Sequence, residues 1–200
     1  LATSQAVIST LSERNKAAND RKPSILEAPS MFQVARIVSK TLAEVIGITS
    51  PDEQASESTF SATFILGGQV KGGDMRLYLI YPEGNFIEVS EENPFFQIGE
   101  TKYGRPILVR AFDPEMSVEA ATKLLMVSFD STIKANLSVG LPLDIHVYEK
   151  DSLNPARKGV VDTNNAYYRM ISGKWAESLK NSLAALPELN FETDISTKGD

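Results

Sequence analysis

Apolar residues recur along this chain at two different periods, which separate predicted helices from predicted strands. Spacings of three and four residues are typical of an α-helix, whereas strict alternation is typical of a half-buried strand. The clearest helical stretch begins at Ser30, which has the spacing of a capping box with Gln33, and its pattern continues until Gly47. Its apolar stripe consists of Met31, Val34, Val38, Leu42 and Val45.

Four more helices are predicted, and three of them have an apolar stripe that we expect to be buried. The four begin near Thr3, Tyr103, Ser117 and Asn165. In the first helix, which ends near Asn15, the stripe consists of Val7, Ile8 and Leu11. In the helix that Ser117 caps, it consists of Val118, Ala121, Leu125 and Phe129. In the last helix, which Pro187 stops, it consists of Tyr168, Ile171, Trp175, Leu179 and Leu183.

Runs rich in β-branched and aromatic residues predict strands in the middle of the chain and near residue 145. These runs are residues 59–70, 75–81, 86–89, 95–98 and 143–148. Between the first two, Gly72 and Gly73 supply the positive φ of a tight hairpin, so we expect antiparallel pairing. The acidic stretch that precedes residue 59 has the composition of a loop.

The order of these elements predicts an α+β fold in which helices pack on antiparallel sheets. A chain of 200 residues with 42% hydrophobic and 23% charged residues can bury the core of one domain, so we expect a single domain over residues 1–200. The polar end of the chain, residues 188–200, is predicted to fray.

Charge and cysteine content exclude several functional classes. The net charge is −6, and the 20 Lys and Arg are scattered among 26 acids, which disfavours binding to nucleic acid or to an anionic membrane. No apolar run approaches the roughly twenty residues that cross a bilayer. The chain has no Cys, which excludes disulfides and thiolate nucleophiles and is compatible with a reducing cytoplasm. We therefore expect a soluble, cytoplasmic protein.

Few residue patterns point to a catalytic, metal or cofactor site. His146 is the only histidine, so a zinc site with several imidazoles has no support, and a single His in a strand is more often a structural or surface residue. Gly67-Gly68 and Gly72-Gly73 lack the ending of a phosphate-binding loop and are interpreted as turn glycines. Tyr167, Tyr168 and Trp175 suggest either a stacking cluster or a buried helix face, and their helical spacing favours the buried face. We expect no metal and no cofactor.

Four sequence motifs resemble those of a known family. They are FILGGQ (64–69), LIYPEGNFIE (79–88), FFQIGETKYG (95–104) and the stretch VSFDSTIKANLSVGLPLDIHVYEKDSL (127–153). Together they make the chain similar, over nearly its whole length, to the bacterial proteasome-type peptidases called Anbu, the ancestral beta subunits. Members of that family are N-terminal-nucleophile hydrolases.

The resemblance implies a four-layer αββα sandwich that cleaves amide bonds with an N-terminal Thr or Ser. That nucleophile, with its supporting Asp and Lys, would precede Leu1, so we expect residues 1–200 to lack the first strands and to be inactive alone. The implied partners are peptide or protein substrates and further copies of the chain in a homo-oligomer. The alternative is a non-catalytic assembly subunit with the same shell.

Two residues of this chain correspond to supporting positions of the family's active site. Residues 135–140 resemble the Asp-x-x-Ser-Gly-Gly element and place Ser138 on the supporting Ser, although Ala135 and Val139 depart from that pattern. Ser138 is therefore either a catalytic support or a hydrogen-bonding residue at a helix C-terminus.

Glu100 stands nearest the Ser of the family's Gly-Ser-Gly loop. The Glu100 carboxylate is able to accept a hydrogen bond from the nucleophile's amine and so raise its basicity. The alternative is a solvated loop acid.

Overall fold

A computed structural model of the chain describes residues 2–16, 23–49, 61–154, 157–191 and 193. The helices in the described part are α1 (Ala2–Lys16), α2 (Met31–Thr49), α3 (Arg105–Ala111), α4 (Val118–Ala135) and α5 (Ala166–Ala184), with a 3-10 turn at Ile25–Glu27. The strands are β1 (Phe64–Gly68), β2 (Arg76–Ile80), β3 (Phe86–Glu88), β4 (Leu143–Val147) and β5 (Arg157–Val161). The mixture of helices and small sheets that the sequence predicts is confirmed.

The predicted elements differ from the observed ones mainly at their ends. All five predicted helices are present, and the side chains of Ser30, Ser117 and Asn165 accept hydrogen bonds from the backbone of α2, α4 and α5 respectively. The predicted loop at 50–57 and the start of the predicted strand 59–70 lie outside the described residues.

One predicted strand is absent, and one observed strand was not predicted. Residues 95–98 form no strand, because their backbone joins no ladder with another described strand. Strand β5 was not predicted, because its sequence RKGVV has neither alternation nor a run of apolar residues.

The chain divides into two compact units, and the first comprises Leu1–Thr101 with Ile145–Gly159. In this unit β1, β2 and β3 form an antiparallel meander in that order, with Phe64 opposite Ile80 and Tyr78 opposite Glu88. The hairpin between β1 and β2 turns at Gly72, whose φ of +79° a side chain would disfavour. The predicted antiparallel pairing is confirmed.

The core of the first unit is built on α2. The predicted stripe Met31, Val34, Val38, Leu42 and Val45 is buried along its whole length. It packs with Val7 and Leu11 of α1 and with Tyr78 and Ile80 of β2. Ile8, which was predicted to be buried, is 60% exposed, because only the line of Thr3, Val7 and Leu11 faces the core.

The Gln69 side chain forms hydrogen bonds that connect the loop after β4 to the β1–β2 hairpin of the same unit. The Gln69 amide nitrogen donates to Asp151 Oδ1 (2.6 Å) and to the Gly73 carbonyl (2.8 Å), while Gln69 Oε1 accepts from the Asp151 backbone N–H (2.8 Å). Asp151 and Leu153 have positive φ values of 62° and 48°, which are uncommon for residues with a side chain. Gln69 therefore stabilises a loop with an unfavourable local backbone conformation.

The second unit comprises Lys102–Asp144 and Val160–Asp200, and here the predicted buried face of α4 is wrong. Val118, Leu125 and Phe129 are 48%, 48% and 43% exposed. The buried residues of α4 are Leu124, Met126, Val127, Ser128, Asp130 and Thr132. Helix α4 contacts both α3 and α5 and uses small polar residues for part of these contacts, so hydropathy alone selects the wrong face.

The predicted stripe of α5 is buried only in its first half. Tyr168 and Ile171 are buried, whereas Leu179 and Leu183 are 51% and 72% exposed. Within the described residues, no helix has the length and apolar content needed to span a membrane.

Leu42 tests the role of α2 as the centre of the first core. Its side chain is 0% exposed, so we expect Leu42→Ala to lower the free energy of unfolding by about 2–5 kcal/mol through lost burial and an internal cavity. Urea unfolding monitored by circular dichroism measures the loss. The matched control is Leu26→Ala, at a position that is 75% exposed, where a change of about 0.5 kcal/mol or less is expected. Equal losses in the two variants would contradict this account of the core.

Candidate functional site

Ser138 lies in a tight turn directly after α4. The helix ends at Ala135, and the extended backbone of Asn136 (φ −138°, ψ 115°) leads the chain out of it. Asn136 Oδ1 accepts two hydrogen bonds, one from the Ser138 backbone N–H (2.8 Å) and one from Ser138 Oγ (2.7 Å). Such a side-chain turn has its own local stability, so the direction of the Ser138 hydroxyl is set by Asn136.

This turn limits what the Ser138 hydroxyl can do chemically. Because its proton is donated to Asn136, the oxygen presents its lone pairs to other groups and acts there as an acceptor. The side chain is exposed, so an incoming N–H or ammonium group has access to it. The role of Asn136 was not predicted, although an Asn two residues before a Ser is a recognisable turn signal.

Glu100 lies at a bend in the segment that leads to α3. Gly99, immediately before it, has a φ of +78°, a left-handed conformation that reverses the backbone direction at the residue preceding the carboxylate. Glu100 is half-buried, so it is not a fully solvated loop acid. In the same segment, Gln97 Oε1 is buried and has no hydrogen-bond partner among the described residues.

The two predicted site residues belong to different units of the chain. Glu100 lies in the unit that contains Leu1–Thr101, and Ser138 lies in the unit that contains Lys102–Asp144. Each position is thus defined by its own local turn: Gly99 for Glu100, and Asn136 for Ser138.

Helix α4, which delivers Ser138, is held against α3 by a close approach at Gly104. Gly104 is the residue before α3, and a Cβ placed on it would lie 3.0 Å from Thr132 Oγ1 and 3.1 Å from the Ser128 carbonyl oxygen. Ser128 and Thr132 are both buried, and Thr132 Oγ1 donates to the Ser128 carbonyl (2.9 Å). Only a residue without a side chain permits this distance between the two elements.

On its other side, α4 is held by a buried hydrogen bond from α5. Tyr168 Oη donates to Asp130 Oδ1 (3.1 Å), and both residues are buried. Burial and, to a smaller degree, the neighbouring Asp130 carboxylate raise the pKa of Tyr168 to about 12. The phenol thus stays protonated and continues to satisfy the buried carboxylate throughout the physiological pH range.

The other aromatic residues that the sequence singled out do not form a stacking cluster with Tyr168. Tyr167 is exposed and Trp175 is half-buried, and both line an apolar groove of about 450 Å³ between α3, α4 and α5. This groove was not predicted, because the helical spacing indicated only a buried face.

The structure offers no metal site within its described part. His146 lies on the exposed face of β4, where it alternates with the half-buried Ile145 and Val147. No group of three or more His, Asp or Glu side chains in the described ranges is arranged to hold a metal ion.

Several solved structures similar to this chain carry the family name Anbu. An Anbu structure from Hyphomicrobium sp. strain MC1 matches with a TM-score of 0.86 and 39% identity over 95% of this chain and 78% of that chain. Anbu (ancestral beta-subunit) from Yersinia bercovieri matches with a TM-score of 0.85 and 37% identity over 95% and 78%. A helical assembly of the Anbu complex from Pseudomonas aeruginosa matches with a TM-score of 0.86 and 40% identity over 96% and 78%.

No family model matches the sequence, and no curated protein matches it significantly. Structural similarity of this extent nevertheless defines the class of the chain as that of a proteasome-like β-subunit. The chain belongs to the Anbu family, as the resemblance of its motifs predicted.

Gly104→Ala tests the close approach between α3 and α4. We expect the variant to lose about 1–3 kcal/mol of unfolding free energy, because the added methyl group overlaps a buried backbone oxygen and two hydroxyl groups. Thermal and urea unfolding measure the loss. Gly140→Ala is the control, since a Cβ there meets nothing within 4 Å, and it should be neutral or slightly stabilising. A neutral Gly104→Ala would mean that the two helices are free to separate.

Tyr168→Phe tests the hydrogen bond between α4 and α5. The variant leaves the buried Asp130 carboxylate without its phenol donor, so we expect a loss of about 1.5–3 kcal/mol at pH 7 by urea unfolding. Tyr167→Phe, next to it on an exposed position, is the matched control and should change little.

The pH dependence of stability gives a second measurement at the same position. The pKa of Tyr168 is higher in the folded state than in the unfolded chain, where the phenol releases its proton first. The contribution of Tyr168 to the free energy of unfolding is therefore complete below about pH 10. It is lost as the pH rises towards about 12. The wild type should therefore lose more stability than Tyr168→Phe between these two pH values. Parallel pH profiles for the two proteins would contradict the raised pKa.

Proposed function

We propose that the protein is a proteasome-type peptidase that hydrolyses amide bonds with an N-terminal Thr or Ser. The observation that carries this proposal is membership of the Anbu family, with 37–40% identity over nearly the whole chain. In the proposed reaction the α-amine of the N-terminal residue removes the proton from its own hydroxyl, which attacks the amide carbonyl. The amine of the product leaves with a proton, and water then hydrolyses the acyl-enzyme ester.

In this proposal the nucleophile and its Asp and Lys partners precede Leu1 in the complete protein. Residues 1–200 contribute one proteasome-type domain, with an αββα arrangement of four layers. The two small sheets and the helices of the described part support this architecture, since each sheet has helices next to it in the chain order.

Ser138 and Glu100 are the proposed supporting residues. Ser138 Oγ donates its proton to Asn136 and so offers lone pairs, which suits an acceptor for the protonated amine of the nucleophile. Glu100 is half-buried at a bend, where a carboxylate would favour the protonated form of the same amine and raise its basicity. The substrates are peptides or proteins.

Self-association forms part of the proposal. The similar structure from Pseudomonas aeruginosa is a helical assembly of the Anbu complex, and we infer that this chain also associates with further copies of itself.

A non-catalytic assembly subunit is the second candidate, and one observation favours it. Both hydrogen bonds that Ser138 makes in the described structure go to Asn136 within its own turn, which accounts for the serine without any catalytic role. Ala135 and Val139 also replace residues of the family's supporting element. In this case the fold supplies only interfaces.

Hydrolysis of fluorogenic peptides by the protein expressed from its complete reading frame separates the two candidates. We expect turnover that falls roughly tenfold or more in Ser138→Ala and in Glu100→Gln, as loss of a charge-assisted hydrogen bond predicts. Ser9→Ala and Glu91→Gln, both at exposed positions, remove the same atoms elsewhere and should leave the rate unchanged.

Two other outcomes would change the assignment. Absence of any turnover, in a protein that is folded and associated, would favour the assembly subunit. Full activity in Ser138→Ala and Glu100→Gln would mean that other residues support the nucleophile.

A further inference from the structure

The orientation of the Asn136 side chain follows from the two groups that donate to it. The Ser138 backbone N–H and the Ser138 hydroxyl both lie within hydrogen-bond distance of one Asn136 side-chain atom, at 2.8 and 2.7 Å. A backbone N–H only donates, so the atom that it reaches is the amide oxygen and not the amide nitrogen. That oxygen carries no proton, so the hydroxyl is the donor in the second contact as well. The position of the Ser138 hydroxyl proton is therefore fixed by the turn.

The backbone of Asn136 is held on both sides. Its N–H donates to the Thr132 carbonyl (2.8 Å), and its carbonyl accepts from the Val139 N–H (3.2 Å). Thr132 is buried beside Gly104, so the first of these bonds connects the turn to the packed part of α4. Asn136 is half-buried, whereas Ser138 is exposed. Asn136 is thus the more firmly held of the two residues, and it orients the serine.

No other side chain of this turn is able to replace Asn136 as the acceptor. Ala135 and Val139 carry no polar side-chain atom, and Leu137, between Asn136 and Ser138, is apolar and fully exposed. The family element that these residues resemble has an acid at the position of Ala135. In this chain a neutral amide, one residue later, supplies the oxygen to which the serine donates. Residues 135–140 therefore bring no negative charge to the turn.

We propose that Asn136 is a positioning residue of the proposed peptidase, which holds Ser138 as a hydrogen-bond acceptor for the protonated α-amine of the nucleophile. This inference rests on the proposed function and deepens it. While Asn136 accepts the hydroxyl proton, only the ammonium form of the amine gains a hydrogen bond from Ser138, so the amine is a stronger base. Without Asn136 the hydroxyl rotates and donates to the lone pair of the neutral amine, which favours the neutral form.

Other charged groups act on the same amine in this proposal. They are Glu100 and the Asp and Lys that the proposed function places before Leu1. Lys134, in the last turn of α4, is the charged residue nearest to Asn136 in sequence. The hydroxyl proton of Ser138 goes to Asn136 and to none of these groups. A substitution of Asn136 by Ala therefore changes the direction of one hydroxyl and leaves the charges in place.

Competitive acetylation of the N-terminal amine over a range of pH, read by mass spectrometry, measures its pKa in the protein expressed from its complete reading frame. Asn136→Ala should lower this pKa by about half a unit or more, because the serine then donates to the neutral amine. Asn136→Asp retains an accepting oxygen and adds a negative charge, so it should keep the pKa or raise it. The Lys71 amine, at an exposed position, is the internal reference and should titrate alike in every variant.

The pH profile of peptide hydrolysis gives a second readout. The acidic limb of kcat/KM follows the pKa of the amine, since the amine is the general base of the proposed reaction. In Asn136→Ala this limb should move to lower pH, and the rate on the plateau should fall about threefold or more because the base is weaker. Asn136→Asp should restore the rate on the plateau.

Two further variants separate positioning from a merely structural role. Asn165→Ala removes an asparagine oxygen that caps α5 by accepting the Tyr168 backbone N–H (2.9 Å). It should lower stability in urea unfolding, as Asn136→Ala does, but leave the pKa of the amine unchanged. In the Ser138→Ala background, Asn136→Ala should cause no further shift, because the hydroxyl through which it acts is gone.

The outcomes distinguish this inference from the proposed function. An equal pKa of the amine in the wild type and in Asn136→Ala would overturn the positioning role whether or not peptides are hydrolysed. So would the same shift in Asn165→Ala, or a second shift in the Ser138→Ala background. A shift confined to Asn136→Ala in a protein without turnover would support the positioning role and contradict the peptidase. Turnover without any shift would leave the peptidase in place and exclude Asn136 from its site.

Discussion

Burial of the apolar stripe of α2 is the interaction on which the first unit depends. Leu42, in its middle, is completely buried, as are Val7 of α1 and Ile80 of β2. A second helix and the central strand of the meander thus share one core with α2. Because β2 pairs with both of its neighbours, fixing β2 against α2 also fixes β1 and β3. The apolar side chains of one helix therefore position a three-stranded sheet.

Sequence patterns predicted those parts of the fold that depend on local chemistry. The stripe of α2, the glycine turn at 72 and the caps of α2 and α4 each have a signal within a few residues, and each is present. The buried face of α4 was wrong because tertiary contacts decide it. Ser128 and Thr132 are buried beside Gly104, where closeness of the backbones matters more than hydropathy.

The assignment of Ser138 and Glu100 to the candidate site comes from the family resemblance and stays a prediction. The resemblance gave no information on the groups beside them, because Asn136 acts through a side-chain turn and Gly99 through its backbone conformation. The groove beside Trp175 was missed for a different reason. A helical period of apolar residues indicates that one face of a helix is apolar, but it does not indicate how much of that face the folded chain buries. On α5, Ile171 is buried within the chain whereas Leu179 is 51% exposed.

The hydrogen bonds of Gln69 restrict which residues that position tolerates. The planar amide group of Gln69 donates two hydrogen bonds and accepts two, from the Asp151 N–H and the Tyr148 hydroxyl, at a loop whose backbone includes two non-glycine residues of positive φ. Glutamate has the same shape but no proton to give, and it would set a second negative charge against Asp151. Leucine would supply neither a hydrogen-bond donor nor an acceptor. Among the common amino acids of that length, only glutamine can donate and accept these hydrogen bonds. Substitutions at position 69 should therefore accumulate slowly, even though the residue lies far along the chain from Glu100 and Ser138.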